Sequence, residues 1–131
     1  MEYFPDYFIA LCKDRPSDPD GFVYTVYFVN NTDEAIDRLD IKTGAYATID
    51  ETLINLGPSK KTYEKLSPQT YLKIETIDED AFDFVIWFQA SLTKNVSYKI
   101  LDFYIPKYLL NAKKTTHIPH LKKAGYVFYA M

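Results

Sequence analysis

The run Phe22-Val23-Tyr24-Thr25-Val26-Tyr27-Phe28-Val29 decides the fold. Every residue in it is β-branched or aromatic, the types that fit a pleated, half-buried surface. Side chains alternate across a strand, so Phe22, Tyr24, Val26 and Phe28 share one face, with Val23, Thr25, Tyr27 and Val29 on the other. A strand that is largely apolar on both faces is expected at the centre of a sheet or covered on both sides. Asn30-Asn31-Thr32-Asp33 ends it with residues that tolerate left-handed geometry and bond their own backbone.

Outward from that strand, the same period recurs. Residues 82–92 place Phe82, Phe84, Ile86 and Phe88 on one face and Val85 and Trp87 opposite. In 96–105, Lys99, Leu101, Phe103 and Ile105 alternate with Tyr98, Ile100, Asp102 and Tyr104. Weaker strands are expected over 3–11, where Pro5 demotes the start to an edge, over 70–77, and over 126–130. Residues 36–41 and 45–49 flank Lys42-Thr43-Gly44, which is expected to turn a hairpin. Single helical turns are expected over 105–111, with Pro106 at the first position, and over 118–125, with Gly125 just past the end. Turn residues recur at 14–20, 30–33, 57–59, 67–68, 78–80 and 94–95. The whole chain, residues 1–131, therefore reads as one all-β domain. It is expected to be an antiparallel β-sandwich, immunoglobulin-like or jelly-roll-like, of about seven to nine short strands with one or two short helical turns.

Composition narrows the class further. Apolar residues at 47% and charged residues at 25% exclude a disordered chain. Twelve Tyr and nine Phe in 131 residues exceed what so small a sandwich can bury, so some aromatics must reach the surface. The single cysteine, Cys12, excludes an internal disulfide framework and fits a reducing compartment. The start Met1-Glu2-Tyr3-Phe4-Pro5-Asp6 carries acids where a secretory signal needs bases, and no apolar window reaches the roughly 18 residues of a membrane span. A cytoplasmic protein with no membrane partner is expected. The sequons at Asn30-Asn31-Thr32 and Asn95-Val96-Ser97 then read as turn chemistry rather than glycan sites.

Catalytic parts are scarce. His117-Ile118-Pro119-His120 offers two imidazoles, but no Cys or acid follows to supply the third ligand of a catalytic zinc. Asp14-Arg15-Pro16-Ser17-Asp18-Pro19-Asp20-Gly21 resembles part of a calcium loop, yet Thr25 or Val29 stands where the closing Glu belongs. Glu75, Asp78, Glu79, Asp80 and Asp83 gather around a turn, where carboxylates are normally solvated rather than buried in a cleft. Gly57-Pro58-Ser59-Lys60-Lys61 lacks the spacing of a phosphate loop, and Pro58 removes a donor. No Ser stands in a nucleophile elbow. No cofactor, no metal and no enzymatic activity are expected.

Charge is segregated along the chain. Residues 1–102 hold all 18 acids and ten of the 15 bases, a balance of −8, whereas 103–131 hold five lysines and no acid. Lys107, Lys113, Lys114, Lys122 and Lys123, with His117 and His120, are the candidate contacts for a polyanion such as a nucleic acid. The pI of 5.3 and the presence of only Arg15 and Arg38 disfavour that reading.

The stretch Val26-Tyr27-Phe28-Val29-Asn30-Asn31-Thr32, with Leu56 to Ser59 and the later Phe103-Tyr104, resembles the all-β domain of unknown function that accompanies the Smr domain in Bacteroidetes proteins. The resemblance spans about residues 24–104. It implies a non-catalytic accessory sandwich and transfers no functional residue. Residue chemistry and resemblance lead to one expectation: a non-enzymatic interaction or accessory module that presents an aromatic sheet face or edge to a protein partner or to a second copy. The alternative is a polyanion-binding module that uses 103–131.

Overall fold

The computed structural model describes residues 4–13, 23–107 and 115–130. Among them run nine strands: β1 (Tyr7–Lys13), β2 (Val23–Asn30), β3 (Ile36–Ile49), β4 (Thr52–Leu66), β5 (Thr70–Asp78), β6 (Val85–Lys94), β7 (Ser97–Ile105), β8 (Thr116–Ile118) and β9 (Lys123–Phe128). One 3-10 turn, Glu79–Asp83, links β5 to β6. All pairings are antiparallel. The strands form a five-stranded sheet in the order β5-β2-β1-β9-β8 and a four-stranded sheet in the order β4-β3-β6-β7. Four hairpins (β1–β2, β3–β4, β6–β7 and β8–β9) stay within one sheet, while the other connections cross between sheets. The molecule is an antiparallel β-sandwich.

Alternation builds the core. Ile9 and Leu11 of β1 and Val26 and Phe28 of β2 meet Leu39, Ile41, Phe88, Leu92, Phe103 and Ile105 from the other sheet. Phe28, Phe88 and Phe103 are among the largest fully buried side chains, and truncating any one to Ala would cost about 3–5 kcal/mol. A second apolar layer lies on the opposite face of the five-stranded sheet, where Phe8, Ala10, Cys12, Tyr27, Val29 and Val127 pack with Ile118 under Phe4 and Leu121. Around β1 and β2 that sheet is covered on both sides, whereas Tyr71 and Lys73 of β5 are exposed. The two-faced apolar pattern of 22–29 predicts this, and β2 indeed sits between β5 and β1 with nearly every residue buried.

Several expectations change. Residues 36–41 and 45–49 are one strand, β3, because Gly44 pairs directly with Trp87 of β6 instead of turning the chain. The hairpin turns instead at Asp50-Glu51, both at positive φ (50° and 65°), the backbone signature of a tight two-residue connection. Residues 52–66, marked in the sequence by the turn residues 57–59, form β4. There Gly57 and Pro58 together oppose Gly44, a bulge in which Gly57 holds φ 84°. With 14 and 15 residues, β3 and β4 are longer than the short strands expected. Residues 118–125 form no helical turn: burial of Ile118 commits 116–118 to β8, and Gly125 lies within β9. The other proposed turn falls partly on 108–111, outside the described residues. The strand expected from residue 3 begins at Tyr7, past Pro5, and is internal to its sheet.

Candidate functional site

The outward face of the four-stranded sheet divides into a charged half and an aromatic half. In the charged half, Arg38 pairs with Glu64 and Asp40 with Thr62 across β3 and β4. The Thr62 hydroxyl donates to Asp40 Oδ1 at 2.6 Å, and Arg38 Nε lies 3.2 Å from the other oxygen. Both contacts, the hydroxyl first, hold the Asp40 carboxyl below its ordinary pKa against a smaller opposing effect of burial.

In the aromatic half, Trp87 lies between Gly44 and Tyr104, and Tyr46 stands beside Val85. Asp102 and Gln89 form the boundary, the amide donating to the carboxylate at 3.2 Å. Beyond them on β7, Ile100 and Tyr98 continue the outward row. Tyr98 is 65% exposed, Ile100 50% and Tyr104 42%. Ile49, Leu53 and Leu56 are also exposed on the β3–β4 hairpin, Leu53 on the outward face opposite Thr48 and the other two on the reverse face.

The two edges of this sheet differ. β4 carries Lys60, Lys61 and the Gly57-Pro58 bulge, the usual devices that stop an edge from pairing. Lys61 also reaches toward β5, donating to the Ile74 carbonyl at 3.0 Å and lying 3.7 Å from Glu75. Nearby, burial, with the Glu75 charge adding to it, raises the Tyr63 pKa. β7 has neither bulge nor proline between Ser97 and Ile105, and among the described residues no strand pairs with its outer edge.

The basic residues singled out by charge do not form one track among the described residues. Lys123 Nζ donates to the Tyr27 hydroxyl at 3.0 Å and lies 4.9 Å from that ring's centre, so it serves the second apolar layer. His120 Nε2 shares a 2.9 Å hydrogen bond with Asn31 Oδ1. His117 and Lys122 are exposed, Lys107 is half-buried after β7, and Lys113 and Lys114 lie outside the described residues. Among the described residues no three of His, Cys, Asp and Glu gather as metal ligands. The partial calcium-loop stretch 14–21 also lies outside them.

The first sequon is structural. Asn30 is fully buried; its amide donates to the Glu34 and Ser67 carbonyls at 2.9 and 3.0 Å. Its Oδ1 accepts from the Thr32 backbone at 3.1 Å and the Thr32 hydroxyl at 2.7 Å. Asn95, in the second, holds φ 52° in the β6–β7 turn. The convergence of Tyr46, Trp87 and Tyr104 is absent from the motif reading. Only the alternation within 96–105 hints at it, and alternation does not say which face is outward.

No helix among the described residues is long and apolar enough to cross a membrane. No protein-family model, no curated protein and no solved structure matches this chain. The class defined by the fold is thus an antiparallel two-sheet sandwich with an exposed aromatic edge.

Proposed function

We propose that this protein is a non-enzymatic interaction or accessory module, cytoplasmic in setting, that associates through β7 with a second copy of itself. The observation that carries this reading is the open edge of β7, with Tyr98, Ile100 and Tyr104 exposed on its outward face and Tyr104 beside Trp87. Strand addition supplies main-chain hydrogen bonds, and the side-chain row supplies apolar area. An antiparallel two-fold pairing keeps each residue on its own face, so both copies present their aromatic rows on one side. Centred on Leu101, it sets Tyr98 of each copy opposite Tyr104 of the other. The accessory role implied by the resemblance of 24–104 to the Smr-neighbouring domain agrees with this reading.

Sedimentation across a concentration series tests it. The wild-type chain is expected to dimerise, and Tyr98→Glu with Ile100→Lys to leave a folded monomer. A wild-type chain that stays monomeric throughout, or a double variant that dimerises equally well, overturns the proposal. Oligonucleotide anisotropy at two salt concentrations separates the polyanion alternative, in which Lys122→Glu weakens binding and the β7 variant does not.

A further inference from the structure

On the outward face of the four-stranded sheet, strand register sets two parallel rows that run across the strands. One is aromatic: Tyr104 on β7 and Trp87 on β6 are direct partners, and Trp87 faces Gly44 on β3. Gly44 has no side chain, and Cε2, Cζ2 and Nε1 of the indole stand in the space its Cβ would take, so the ring carries the row onto a third strand. Tyr46, two residues further along β3, flanks it and is exposed. The neighbouring row is polar on every strand, in the order Asp102, Gln89, Lys42 and Lys60. About 7 Å separates the rows along each strand, and about 5 Å separates neighbours within a row.

Most of these groups are unengaged. Gln89 donates to Asp102 at 3.2 Å, and Lys60 acts on Asp40. The Trp87 Nε1, the Tyr46 and Tyr104 hydroxyls and the Lys42 ammonium make no hydrogen bond or ion pair among the described residues. Across the face, Arg38, Lys42 and Lys60 offset Asp40, Glu64 and Asp102, so the registered rows carry no net charge and favour an uncharged ligand over a polyanion. The core of a protein interface is depleted of charged groups, whereas here Asp102 and Lys42 stand one step along the strand from Tyr104 and Gly44. A sugar ring has the matching build. Its C–H groups rest on the electron-rich faces of aromatic rings, and the hydroxyls round its rim both donate and accept. The strand spacing of about 4.8 Å is close to the length of one ring in a saccharide chain, so successive rings can lie over successive strands.

We propose that this face binds an uncharged, gluco-configured oligosaccharide laid across β7, β6 and β3. Its rings stack on Tyr104 and Trp87, and its hydroxyls run along Asp102, Gln89 and Lys42. Equatorial hydroxyls leave C–H groups on both ring faces, which is why the gluco configuration fits. This goes beyond self-association, because pairing through the β7 edge leaves the outward face of each copy open.

Trp87 is the sole tryptophan, so its emission reports occupancy. Cellohexaose and maltohexaose, which share one ring and differ in linkage, are titrated beside an oligogalacturonate and a single-stranded oligonucleotide. At least one of the two glucans is expected to change the emission saturably, with both polyanions far weaker. Calorimetry is expected to show that Tyr104→Ala and Gln89→Ala each weaken that glucan about tenfold without changing the unfolding midpoint. Tyr98→Glu with Ile100→Lys, on the far side of Asp102, is expected to bind as the wild type does whatever its oligomeric state. No saturable change with either glucan, equal or tighter binding of a polyanion, undiminished binding by the folded Tyr104 and Gln89 variants, or an equal loss in the Tyr98/Ile100 variant would each overturn the assignment.

Discussion

The indole of Trp87 occupies the space a side chain at Gly44 would fill. The two residues are direct cross-strand partners, and a Cβ on Gly44 would fall inside contact distance of Cε2, Cζ2 and Nε1 of the indole. A glycine inside a strand costs about 0.5–1 kcal/mol relative to alanine. An aromatic side chain laid over it recovers part of that by covering the backbone. The same contact holds the indole beside Tyr104 on the outward face.

Gly44→Ala is therefore expected to push the indole off its seat and destabilise the chain by about 1–3 kcal/mol. Trp87 is the sole tryptophan, so its emission reports the displacement directly. An unaltered spectrum with an unaltered denaturation midpoint would show that the sheet accommodates the methyl.

Asn30 joins the β2–β3 connection to the β4–β5 turn through its bonds to the Glu34 and Ser67 carbonyls. Asn30→Ala takes the amide donor from the Ser67 carbonyl and the acceptor from the Thr32 backbone N–H, while the Thr32 hydroxyl still reaches the Glu34 carbonyl at 3.0 Å, and is expected to cost about 3 kcal/mol. Asn30→Asp keeps the acceptor and loses the donors, so its cost should be comparable. Urea unfolding checks both; a loss below about 1 kcal/mol would mean water replaces the amide.

Glu51 sits at φ 65° in the β3–β4 turn, where a side chain is strained. Glu51→Gly relieves that strain and should raise stability by about 0.5–1 kcal/mol. A thermal melt reads the change, and a lower melting temperature would refute it.

Asp40 supplies a pH dependence. Its folded-state pKa is depressed, so its contribution to stability is present above the unfolded pKa and is lost as pH falls through the folded value. Thr62→Val removes the largest cause of the depression. The unfolding midpoint of the wild type should therefore fall more steeply under acid than that of the variant, with the difference between them shrinking as the carboxylate protonates. Because Asp40 is near the surface, the effect is small and should weaken in salt. Parallel acid profiles for the two proteins would show that the Thr62 bond carries none of it.

The alternation within 23–29, 85–92 and 97–105 was legible because a period of two is a local property of the backbone, and so was the all-β class, whereas Phe82, expected to open a strand, falls in the 3-10 turn Glu79–Asp83. The turn at Lys42-Thr43-Gly44 was misread for a physical reason. A glycine that reverses the chain and a glycine that seats a neighbour's indole look alike until β6 is laid beside β3. Lys123 illustrates the same limit: as sequence it belongs to a basic tail, but folding places it 3.0 Å from Tyr27, 96 residues earlier in the chain.

By itself, then, the sequence determined which residues alternate, where strong strands run and that aromatics must spill outward, all of which follow from near-neighbour geometry and composition. Only the tertiary structure decided that β7 is an edge, that its Tyr98-Ile100-Tyr104 row faces outward, and that Trp87 and Tyr104 stand beside Gln89 and Asp102. Those facts depend on sheet order and on contacts between segments distant in the chain, which pair and pack only once the whole core forms.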